Sequence, residues 1–401
     1  MTIDMLSFDD ALARLTGSAR AVREIEMTDT MVARGRVLAS DLHSPLSVPA
    51  MDTSTMDGYA LHIADVPVEG VRLPVRQRIP AGSVGHPLQP GSAARIFTGA
   101  PLPPGADAVV MQELCEVHGS DVVINHRPHA GEAVRLAGSE ITCGEVVLRA
   151  GVRLRPQELG LAASVGIAQL PVLRRVRVAL FSTGSELVMP GEALPPGGVY
   201  NSNRFQLRAL LEQLGCEVSD FGIVADDLAT TRKILREAAE GHDLILTSGG
   251  VSVGEEDHVK PAVEAEGVLD MWKIAMKPGK PLAYGRVGAA AFIGLPGNPV
   301  SSFVTFLMMV RPFVLATQGV SDVAPAVVEL LADFDWPRPD RRREFLRGRI
   351  NARGRVEIHT QQGAAALSSI VWAGGLVDVP AGTPIKAGES VRFIPYGELL
   401  H

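Results

Sequence analysis

The spacing of apolar residues changes several times along the chain. Near the N-terminus, apolar residues recur on one helical face behind a capping box formed by Ser7 and Asp10, which predicts a helix. From about residue 46 to residue 137, short valine-rich runs alternate with turns that contain Pro and Gly, a pattern typical of a small β domain. Helix-compatible segments at 29–40 and 156–165 flank this stretch. We expect them to pack together as a connecting domain.

Between residues 174 and 319, strand-like runs alternate with amphipathic helices. The predicted strands lie at 176–181, at 218–224, from 244, and near residues 269, 282 and 291. The predicted helices begin at Asn203, Asp227 and Asn298. This order is typical of a parallel sheet with helices on both faces, and the β-like pattern that returns from about residue 327 predicts a small closing β domain.

Length and charge limit the class of protein. A chain of 401 residues with 46% hydrophobic content can form two to four domains. The net charge of -7 argues against a general nucleic-acid or membrane-surface binder, because both need a positive field. The three cysteines form no Cys-x-x-Cys motif, which fits a reducing cytosol. The longest apolar stretch, 300–310, stops at Arg311 and is too short for a bilayer, so we expect a soluble, cytoplasmic protein.

Residues 244–257 combine a buried strand with a loop of small residues. The glycines at 249, 250 and 254 allow close backbone approach, and uncovered N–H groups in such a loop can bind an anion. The acids that follow at 255–257 can hold a hard cation. The loop therefore predicts a phosphate and Mg²⁺, although a βα turn can also be rich in glycine for steric reasons alone.

Lysine is rare in this chain but clustered. Only six of the 38 basic residues are lysines, yet Lys273, Lys277 and Lys280 lie within eight positions of one another. A lysine supplies a flexible point charge, so the cluster favours an oxyanion site over a solvated charged face. The loop from Gly294 to Pro299 places a helix start at a strand end, where it can bind an anion or act only as a helix cap.

Acidic residues follow other predicted strands of the same sheet. Glu186 ends the loop Ser182-Thr-Gly-Ser-Glu186, and open α/β sheets bind ligands at the carboxyl ends of their strands. Glu186, Asp226 and Asp257 are therefore candidates to share a Mg²⁺ ion with ligand phosphates. In the β domain, Asp57 and Thr98 lie at bends beside glycines, and from the residues alone the favoured role is to bind backbone N–H groups.

Five colinear stretches together resemble the motif set of the molybdopterin molybdenumtransferase family, which includes a domain of gephyrin. The resemblance covers nearly the whole chain. The stretches are Asp52-Thr-Ser-Thr-Met-Asp-Gly-Tyr-Ala60, Arg95-Ile-Phe-Thr-Gly-Ala-Pro-Leu-Pro-Pro-Gly-Ala-Asp-Ala-Val-Val-Met-Gln-Glu113, Ser182-Thr-Gly-Ser-Glu186, Ser248-Gly-Gly-Val-Ser-Val-Gly-Glu-Glu-Asp257 and Gly294-Leu-Pro-Gly-Asn-Pro-Val-Ser301.

The resemblance implies four domains and an activity. The expected domains are an N-terminal connecting domain (1–45 and 138–173), an inserted β domain (46–137), a molybdopterin-binding three-layer α/β/α domain (174–326) and a C-terminal β-barrel (327–401). It further implies a homodimer, in which the β domain of one subunit completes the cleft of the other. The implied reaction uses molybdopterin-AMP, molybdate and Mg²⁺ and releases AMP, and the molybdopterin adenylyltransferase and molybdoenzyme chaperones are possible partners.

The resemblance also assigns roles to individual residues. The implied catalytic residues are Asp57, Thr98, Glu186 and Asp257. Binding of molybdopterin-AMP is implied for Thr183, Gly184, Ser248, Gly249, Gly250, Ser252 and Gly254. Molybdate binding is implied for Lys273, Lys277, Lys280, Pro296, Pro299, Arg347, Ser368 and Ser369. The implied metal ligands are Glu186, Asp226 and Asp257.

The chain departs from the family pattern at two places. Glu140, in Ala137-Gly-Ser-Glu140, stands where the family often has Asp, and Ala364-Ala365 replaces a Ser-His pair. Two other functions stay open at this point. Adenylyl transfer onto molybdopterin uses a similar α/β module, and a gephyrin-like scaffold would bind a receptor peptide without catalysis.

Overall fold

The N-terminal part is built from one helix and short strands. The structure, a computed structural model, describes residues 5–250 and 258–400 apart from the side chains of Met271 and Trp272. Helix α1 (Phe8–Gly17) begins as predicted, because Ser7 Oγ accepts the N–H of Asp10 at 3.1 Å. The strands that follow are β1 (Ile25–Asp29), β2 (Leu42–His43) and β3 (Thr53–Ser54).

The prediction of helix-compatible structure at 29–40 is wrong. One 3₁₀ turn, Thr30–Val32, follows β1, and Gly35 then takes a left-handed φ of 75°. Val37 and Leu38 instead form β-bridges with Arg153 and Val172. Their buried side chains reach the core from a bridged backbone, so tertiary pairing overrides a weak local preference for helix.

The inserted part forms a six-stranded sheet, as the valine-rich pattern predicts. Its order is β7-β4-β6-β5-β9-β8, and only β5 and β6 pair in parallel. The strands are β4 (Gly58–Leu61), β5 (Val71–Ile79), β6 (Ala93–Ile96), β7 (Ala108–Met111), β8 (Cys115–His118) and β9 (Asp121–Ile124).

The segments before and after this sheet are joined by antiparallel pairing. Strands β12, β11 and β10 pair with β1, β2 and β3 respectively. Helix α2 confirms the prediction at 156–165. The elements are β10 (Val134–Arg135), β11 (Val146–Leu148), α2 (Pro156–Ser164) and β12 (Gln169–Leu173).

A second six-stranded sheet forms the α/β part, in the order β16-β13-β17-β21-β20-β18. The strands of this region are β13 (Arg177–Thr183), β14 (Leu187–Val188), β15 (Val199–Tyr200), β16 (Glu217–Val224), β17 (Leu244–Ser248), β18 (Gly267–Lys273), β19 (Met276–Lys277), β20 (Pro281–Val287) and β21 (Ala290–Leu295). The helices are α3 (Ser202–Gln213), α4 (Leu228–Ala239), α5 (Val259–Glu266), α6 (Pro299–Thr305), a π-helical stretch (Phe306–Val310) and α7 (Arg311–Thr317).

The prediction of a parallel sheet holds for four of these strands and is wrong for two. β16, β13, β17 and β21 are parallel, whereas β20 and β18 pair antiparallel, because short connections join β18, β20 and β21. The cap of α3 also differs from the prediction. Asn201 accepts the N–H of Arg204, while Asn203 lies inside the helix and donates to the carbonyl of Gly297.

Helices cover both faces of this sheet, which confirms the three-layer α/β/α architecture. Alternate residues of β13 show the arrangement. Val178 and Leu180 pack with α1, α3, α6 and α7, whereas Ala179 and Phe181 pack with α4 and α5. Burial of each large apolar side chain stabilises the folded state by about 1.5–3 kcal/mol. Contacts with helices on both faces therefore stabilise the sheet.

The helix that contains the apolar stretch at 300–310 continues past Arg311. One continuous helix runs from Pro299 to Thr317, and the Arg311 guanidinium donates to the carbonyls of Val323 and Glu398. The helix is long and apolar enough to cross a membrane, yet 94% of its most apolar window is buried inside the protein. This is the environment of a core helix.

The C-terminal part closes into a small barrel. Sheet pairing runs β24-β23-β25-β26-β22, and Ala332, directly after β22, bridges back to Val356 in β24. Strand β19 of the α/β part pairs with β23 and links the two parts. The elements are β22 (Val328–Leu331), β23 (Arg343–Ile350), β24 (Val356–Ile358), α8 (Leu367–Trp372), β25 (Gly375–Val379), β26 (Ser390–Pro395) and α9 (Tyr396–Leu399).

Candidate active site

A cleft of about 630 Å³ lies at the carboxyl edge of the parallel strands. Because β16, β13, β17 and β21 run in the same direction, the loops that follow them meet at this edge. Four residues of the C-terminal part also line it. The lining residues are Thr183, Gly184, Glu186, Asp226, Gly249, Gly250, Lys277, Pro278, Gly279, Lys280, Pro281, Pro296, Gly297, Asn298, Ser301, Arg342, Gln362, Gly363 and Ala364.

Two glycines in the floor of the cleft have no room for a side chain. Gly249 and Gly250 have φ values of 88° and 64°. A Cβ on Gly249 would lie 2.5 Å from the Thr183 carbonyl oxygen, and one on Gly250 would lie 2.5 Å from Val259 Cγ2. Only glycine fits both positions without strain.

Thr183 brings a buried hydroxyl to the same place. Its side chain is 3% exposed, and Oγ1 has no hydrogen-bond partner among the described residues. Buried polar atoms are seldom left unpaired in native proteins, so this hydroxyl is an exception at the edge of the cleft that Thr183 lines.

The expectation of uncovered N–H groups in this loop needs correction. The N–H of Gly249 donates to the Leu295 carbonyl at 3.1 Å, so it continues the sheet pairing. Ser248 is buried at 2% exposure, with its Oγ 3.4 Å from Ser182 Oγ, and does not line the cleft. The predictions for Ser252, Gly254 and Asp257 fall outside the described residues.

The acidic wall of the cleft consists of Glu186 and Asp226. Both line the cleft, and neither forms an ion pair with another described residue. Asp227, next to Asp226, instead accepts the N–H of Thr230 at 2.8 Å as the cap of α4, as predicted. The described residues contain no group of three or more His, Cys, Asp or Glu that could hold a metal by themselves.

The cationic wall consists of Lys277, Lys280 and Arg342. Lys280 is exposed and forms no ion pair within the described part of the chain. Lys277 Nζ lies 3.0 Å from Glu344 Oε1, and Arg342 forms a two-pronged pair with Asp340. Lys273 and Pro299 do not line the cleft, whereas Pro296 does.

A neighbouring cavity of about 320 Å³ contains Arg347 and shares Lys277, Pro278, Gln362 and Gly363 with the cleft. Arg347 is fully buried, and its Nε donates to Ser369 Oγ at 3.2 Å. Within 5–250 and 258–400, no carboxylate pairs with it, and burial lowers its pKa to about 10. Of the two predicted serines, Ser369 is therefore the one at Arg347, and Ser368 is exposed.

Asp57 and Thr98 lie together on the inserted sheet, away from the cleft of their own chain. Asp57 Oδ1 accepts the N–H of Thr98 at 2.8 Å and its hydroxyl at 2.7 Å, and these bonds lower the pKa of Asp57. Arg78 and Arg95 stack on the ring of nearby Phe97 at 4.4 and 4.6 Å. The group presents an anion and two cations on one surface.

The two departures from the family pattern have local contacts. Glu140 forms an ion pair with Arg135. Ala364 lines the cleft, and its carbonyl accepts the N–H of Val300 at the start of α6. Ala365 accepts the N–H of Leu367, so both alanines act through their backbone.

Arg342 and Gln362 line the cleft but are not predicted as site residues from the sequence. Arg342 lies in a run of three arginines, which is indistinguishable from surface charge in a sequence. Gln362 exchanges two hydrogen bonds with the backbone of Arg347, at 2.9 and 3.0 Å. A short Gln-Gly-Ala-Ala loop carries no pattern that predicts this pairing.

Comparison with known proteins covers the whole described architecture. Residues 6–166 match the MoeA N-terminal region (domain I and II). Residues 179–316 match a probable molybdopterin binding domain, and residues 329–396 match the MoeA C-terminal region (domain IV). The three matches follow one another in the order that the five motifs predict.

Individual relatives are similar over most of their length. A molybdopterin molybdenumtransferase of Haemophilus influenzae is 37% identical, over 99% of this chain and 100% of the relative. Molybdopterin molybdenumtransferase 2 of Mycobacterium tuberculosis is 38% identical, over 90% of this chain and 92% of the relative. The crystal structure of a molybdopterin biosynthesis MoeA protein from Pyrococcus horikoshii is 27% identical, with a TM-score of 0.86 over 98% of this chain and 100% of that one. The chain therefore belongs to the molybdopterin molybdenumtransferase family.

Proposed function

We propose that this protein inserts molybdenum from molybdate into adenylylated molybdopterin and releases AMP. The observation that carries the proposal is that acids and cations line one cleft. Glu186 and Asp226, which follow strand ends, line it together with Lys277, Lys280 and Arg342. A nucleotide phosphate with its metal ion suits the two acids, and an oxyanion suits the cations.

The phosphate is proposed to lie over Gly184, Gly249 and Gly250, with the Thr183 hydroxyl as donor. Three features support this placement: the small floor, the unpaired buried hydroxyl, and the strand-end position. We extend the proposed phosphate site to Ser248, Ser252 and Gly254. Ser248 is proposed to contribute indirectly, because it forms the end of the strand that leads into the glycine loop.

The residues present fit a Mg²⁺ ion. Magnesium is commonly held by one or two carboxylates together with substrate phosphates and water, and Glu186 and Asp226 are two cleft carboxylates that form no ion pair within residues 5–250 and 258–400. Asp257 is proposed as a third ligand. A bound Mg²⁺ would neutralise charge on the phosphate and favour departure of AMP.

The oxyanion is proposed to approach Lys277, Lys280 and Arg347, with Ser369 and Pro296 beside them. Arg347 supports this role because it is buried and no carboxylate among the described residues pairs with it, and a buried guanidinium in that state attracts an anion strongly. We propose indirect roles for Lys273, Pro299 and Ser368, which lie at the end of β18, at the start of α6 and in α8.

Asp57 and Thr98 are proposed to act in the cleft of a second subunit of a homodimer. They do not line the cleft of their own chain. The family resemblance implies that the β domain of one subunit completes the cleft of the other. The same resemblance supports the four domain boundaries given above and partners such as the adenylyltransferase and molybdoenzyme chaperones. A cytoplasmic location accords with three free cysteines.

The two other functions find less support. An adenylyltransferase needs only the α/β module, whereas this chain also matches the N- and C-terminal regions of the family. A scaffold does not account for a cleft that is lined by two lysines and by two acids without an ion-pair partner among the described residues.

Single-turnover release of AMP tests the proposal. Purified protein, molybdopterin-AMP and Mg²⁺ are mixed with and without molybdate, and AMP is quantified. We expect release to require both molybdate and Mg²⁺. Release at the same rate without molybdate, or adenylylation of molybdopterin from ATP by this protein alone, would contradict it.

A further inference from the structure

Lys277 is already paired with two carboxylates of the C-terminal part. Its Nζ lies 3.0 Å from Glu344 Oε1 and 3.5 Å from Asp340 Oδ2. The pairing of β19 with β23 sets Lys277 opposite Glu344 in the sheet register, so the backbone itself keeps the two residues together. The predicted anion-binding lysine therefore has a built-in counter-ion.

Glu344 cannot turn away from this lysine without losing other bonds. Its side chain is 1% exposed, and Oε2 accepts the Trp336 indole N–H and the Asp340 backbone N–H, both at 2.8 Å. These two donors fix the carboxylate, so Oε1 faces the ammonium. A carboxylate held in this way keeps its charge at a set place beside the cleft.

Asp340 extends the pairing to the other arginine of the cleft. Its two oxygens accept Nε and Nη2 of Arg342 at 3.0 and 2.9 Å, and these bonds lower the pKa of Asp340. Two carboxylates and two cations thus form a balanced network behind the cationic wall. Lys280, by contrast, has no such partner among the described residues.

An oxyanion that binds Lys277 must compete with Glu344. Both are anions that would lie within a few ångströms of one ammonium, and they also repel each other. Affinity for the oxyanion therefore depends on the difference in free energy between the contact of Lys277 with the oxyanion and its contact with Glu344. A bound oxyanion is more readily given up to the next step when a protein carboxylate can take back the lysine.

We propose that Glu344 is a positioning residue that competes with the oxyanion for Lys277 and so weakens retention of the oxyanion in the cleft. Glu344 acts through the lysine and does not itself contact the oxyanion. The inference rests on the proposed function, since it takes the oxyanion to be molybdate.

Calorimetric titration of the full-length protein with sodium molybdate tests this role. Glu344→Gln keeps an oxygen for Trp336 and the Asp340 N–H but removes the charge that faces Lys277. We expect molybdate to bind Glu344→Gln about tenfold more tightly than the wild type, because a competing charge is removed. In a Lys277→Met background, the same change should tighten binding much less, because only the direct repulsion between Glu344 and the oxyanion is then removed. A purely structural role of Glu344 would not produce this dependence on Lys277.

Two further variants, one a control and one an alternative, test whether the change in molybdate affinity is specific to the carboxylates near Lys277. Glu357→Gln removes a carboxylate of the same barrel, one that pairs with Arg349 at 2.6 Å outside the cleft, and should bind molybdate like the wild type. Asp340→Asn keeps Glu344 and its Trp336 bond, so it serves if Glu344→Gln does not fold. It should tighten binding about threefold, because it removes the more distant of the two charges near Lys277. The variant also releases Arg342, and the part of the gain that persists in a Lys277→Met background measures that effect.

The outcomes separate the inference from the proposed function. Molybdate binding that is unchanged or weakened in both folded variants would overturn the role of Glu344 alone. A wild-type protein that binds no molybdate would overturn the proposed function, and this inference with it.

Discussion

Asp57 and Thr98 are joined by two hydrogen bonds to a single carboxylate oxygen, Asp57 Oδ1, at 2.8 Å from the Thr98 N–H and 2.7 Å from its hydroxyl. The bonds satisfy the backbone of the bend, as the residues alone indicate, and they also hold the carboxylate ionised on an accessible surface. A structural role and a role in the cleft of a partner are therefore compatible.

Mixed dimers test whether the cleft is shared between subunits. Asp57→Ala and Glu186→Ala should each abolish molybdate-dependent AMP release. A dimer that combines the two should have one intact cleft and recover about half of the wild-type rate per dimer, by the symmetry of a two-fold interface. The measurement is AMP release by tagged, purified mixed dimers.

The control for this experiment is a mixed dimer of Asp57→Ala and wild-type subunits. An inactive mixed dimer of the two variants, alongside an active control, would show that Asp57 and Glu186 serve the same subunit's cleft.

Gly250→Ala should lower stability and substrate affinity together. The added Cβ meets Thr183 Oγ1 at 2.7 Å and Val259 Cγ2 at 2.5 Å, at a φ of 64°. We expect a loss of about 2–3 kcal/mol in the free energy of unfolding, since strain adds to the cost of a left-handed alanine. Urea unfolding and AMP binding measure the two effects.

Gly241→Ala is the matched control for Gly250. Gly241 has a φ of 77°, and nothing lies within 4 Å of its added Cβ. This variant should lose only about 1 kcal/mol and bind AMP normally. Equal losses in the two variants would mean that the crowded floor at Gly250 is unimportant.

Asp226→Asn should raise the Mg²⁺ concentration needed for AMP release. An amide keeps the shape of the carboxylate but loses its charge, so affinity for a hard cation falls. We expect the half-saturating Mg²⁺ concentration to increase roughly tenfold, as for loss of one charged ligand. A Mg²⁺ titration of AMP release gives the value.

Asp227→Asn provides the neighbouring control. Asn caps a helix as well as Asp does, so α4 should keep its start and the Mg²⁺ requirement should not change. The same shift in both variants would point to general electrostatics in place of a ligand role for Asp226.

Arg347→Met should separate stability from oxyanion binding. Burial lowers the pKa of Arg347 to about 10, so the folded protein binds this proton more weakly than the unfolded chain does. The charge therefore destabilises the fold below that pH, and its cost declines as the pH rises through about 10.

The variant should be as stable as the wild type at neutral pH, or more stable by about 1 kcal/mol, while molybdate affinity falls at least tenfold. Urea unfolding and calorimetric titration measure both quantities. A large loss of stability with normal molybdate binding would assign Arg347 to the core instead of the site.

Strand ends and their loops are predictable from this sequence because a few small residues, such as Gly249 and Gly250, mark where parallel strands meet a ligand edge. The contacts that the C-terminal part makes with the cleft are not predictable from the sequence. Glu344 and Arg342 lie in a charged run without periodicity, and only the pairing of β19 with β23 brings them to Lys277. The predicted Asn203 cap fails because Asn203 instead donates to the carbonyl of Gly297, which is distant in sequence. The predicted parallel direction of β18 and β20 fails because short connections join β18, β20 and β21, and these connections force antiparallel pairing.

A crystal structure of the protein with AMP and molybdate tests the central claim most directly, that one cleft holds a nucleotide phosphate beside a metal oxyanion. The account predicts the AMP phosphate against Thr183, Gly249 and Gly250, and molybdate within hydrogen-bond distance of Lys277, Lys280 or Arg347. Both ligands bound elsewhere, with this cleft open to solvent, would contradict it.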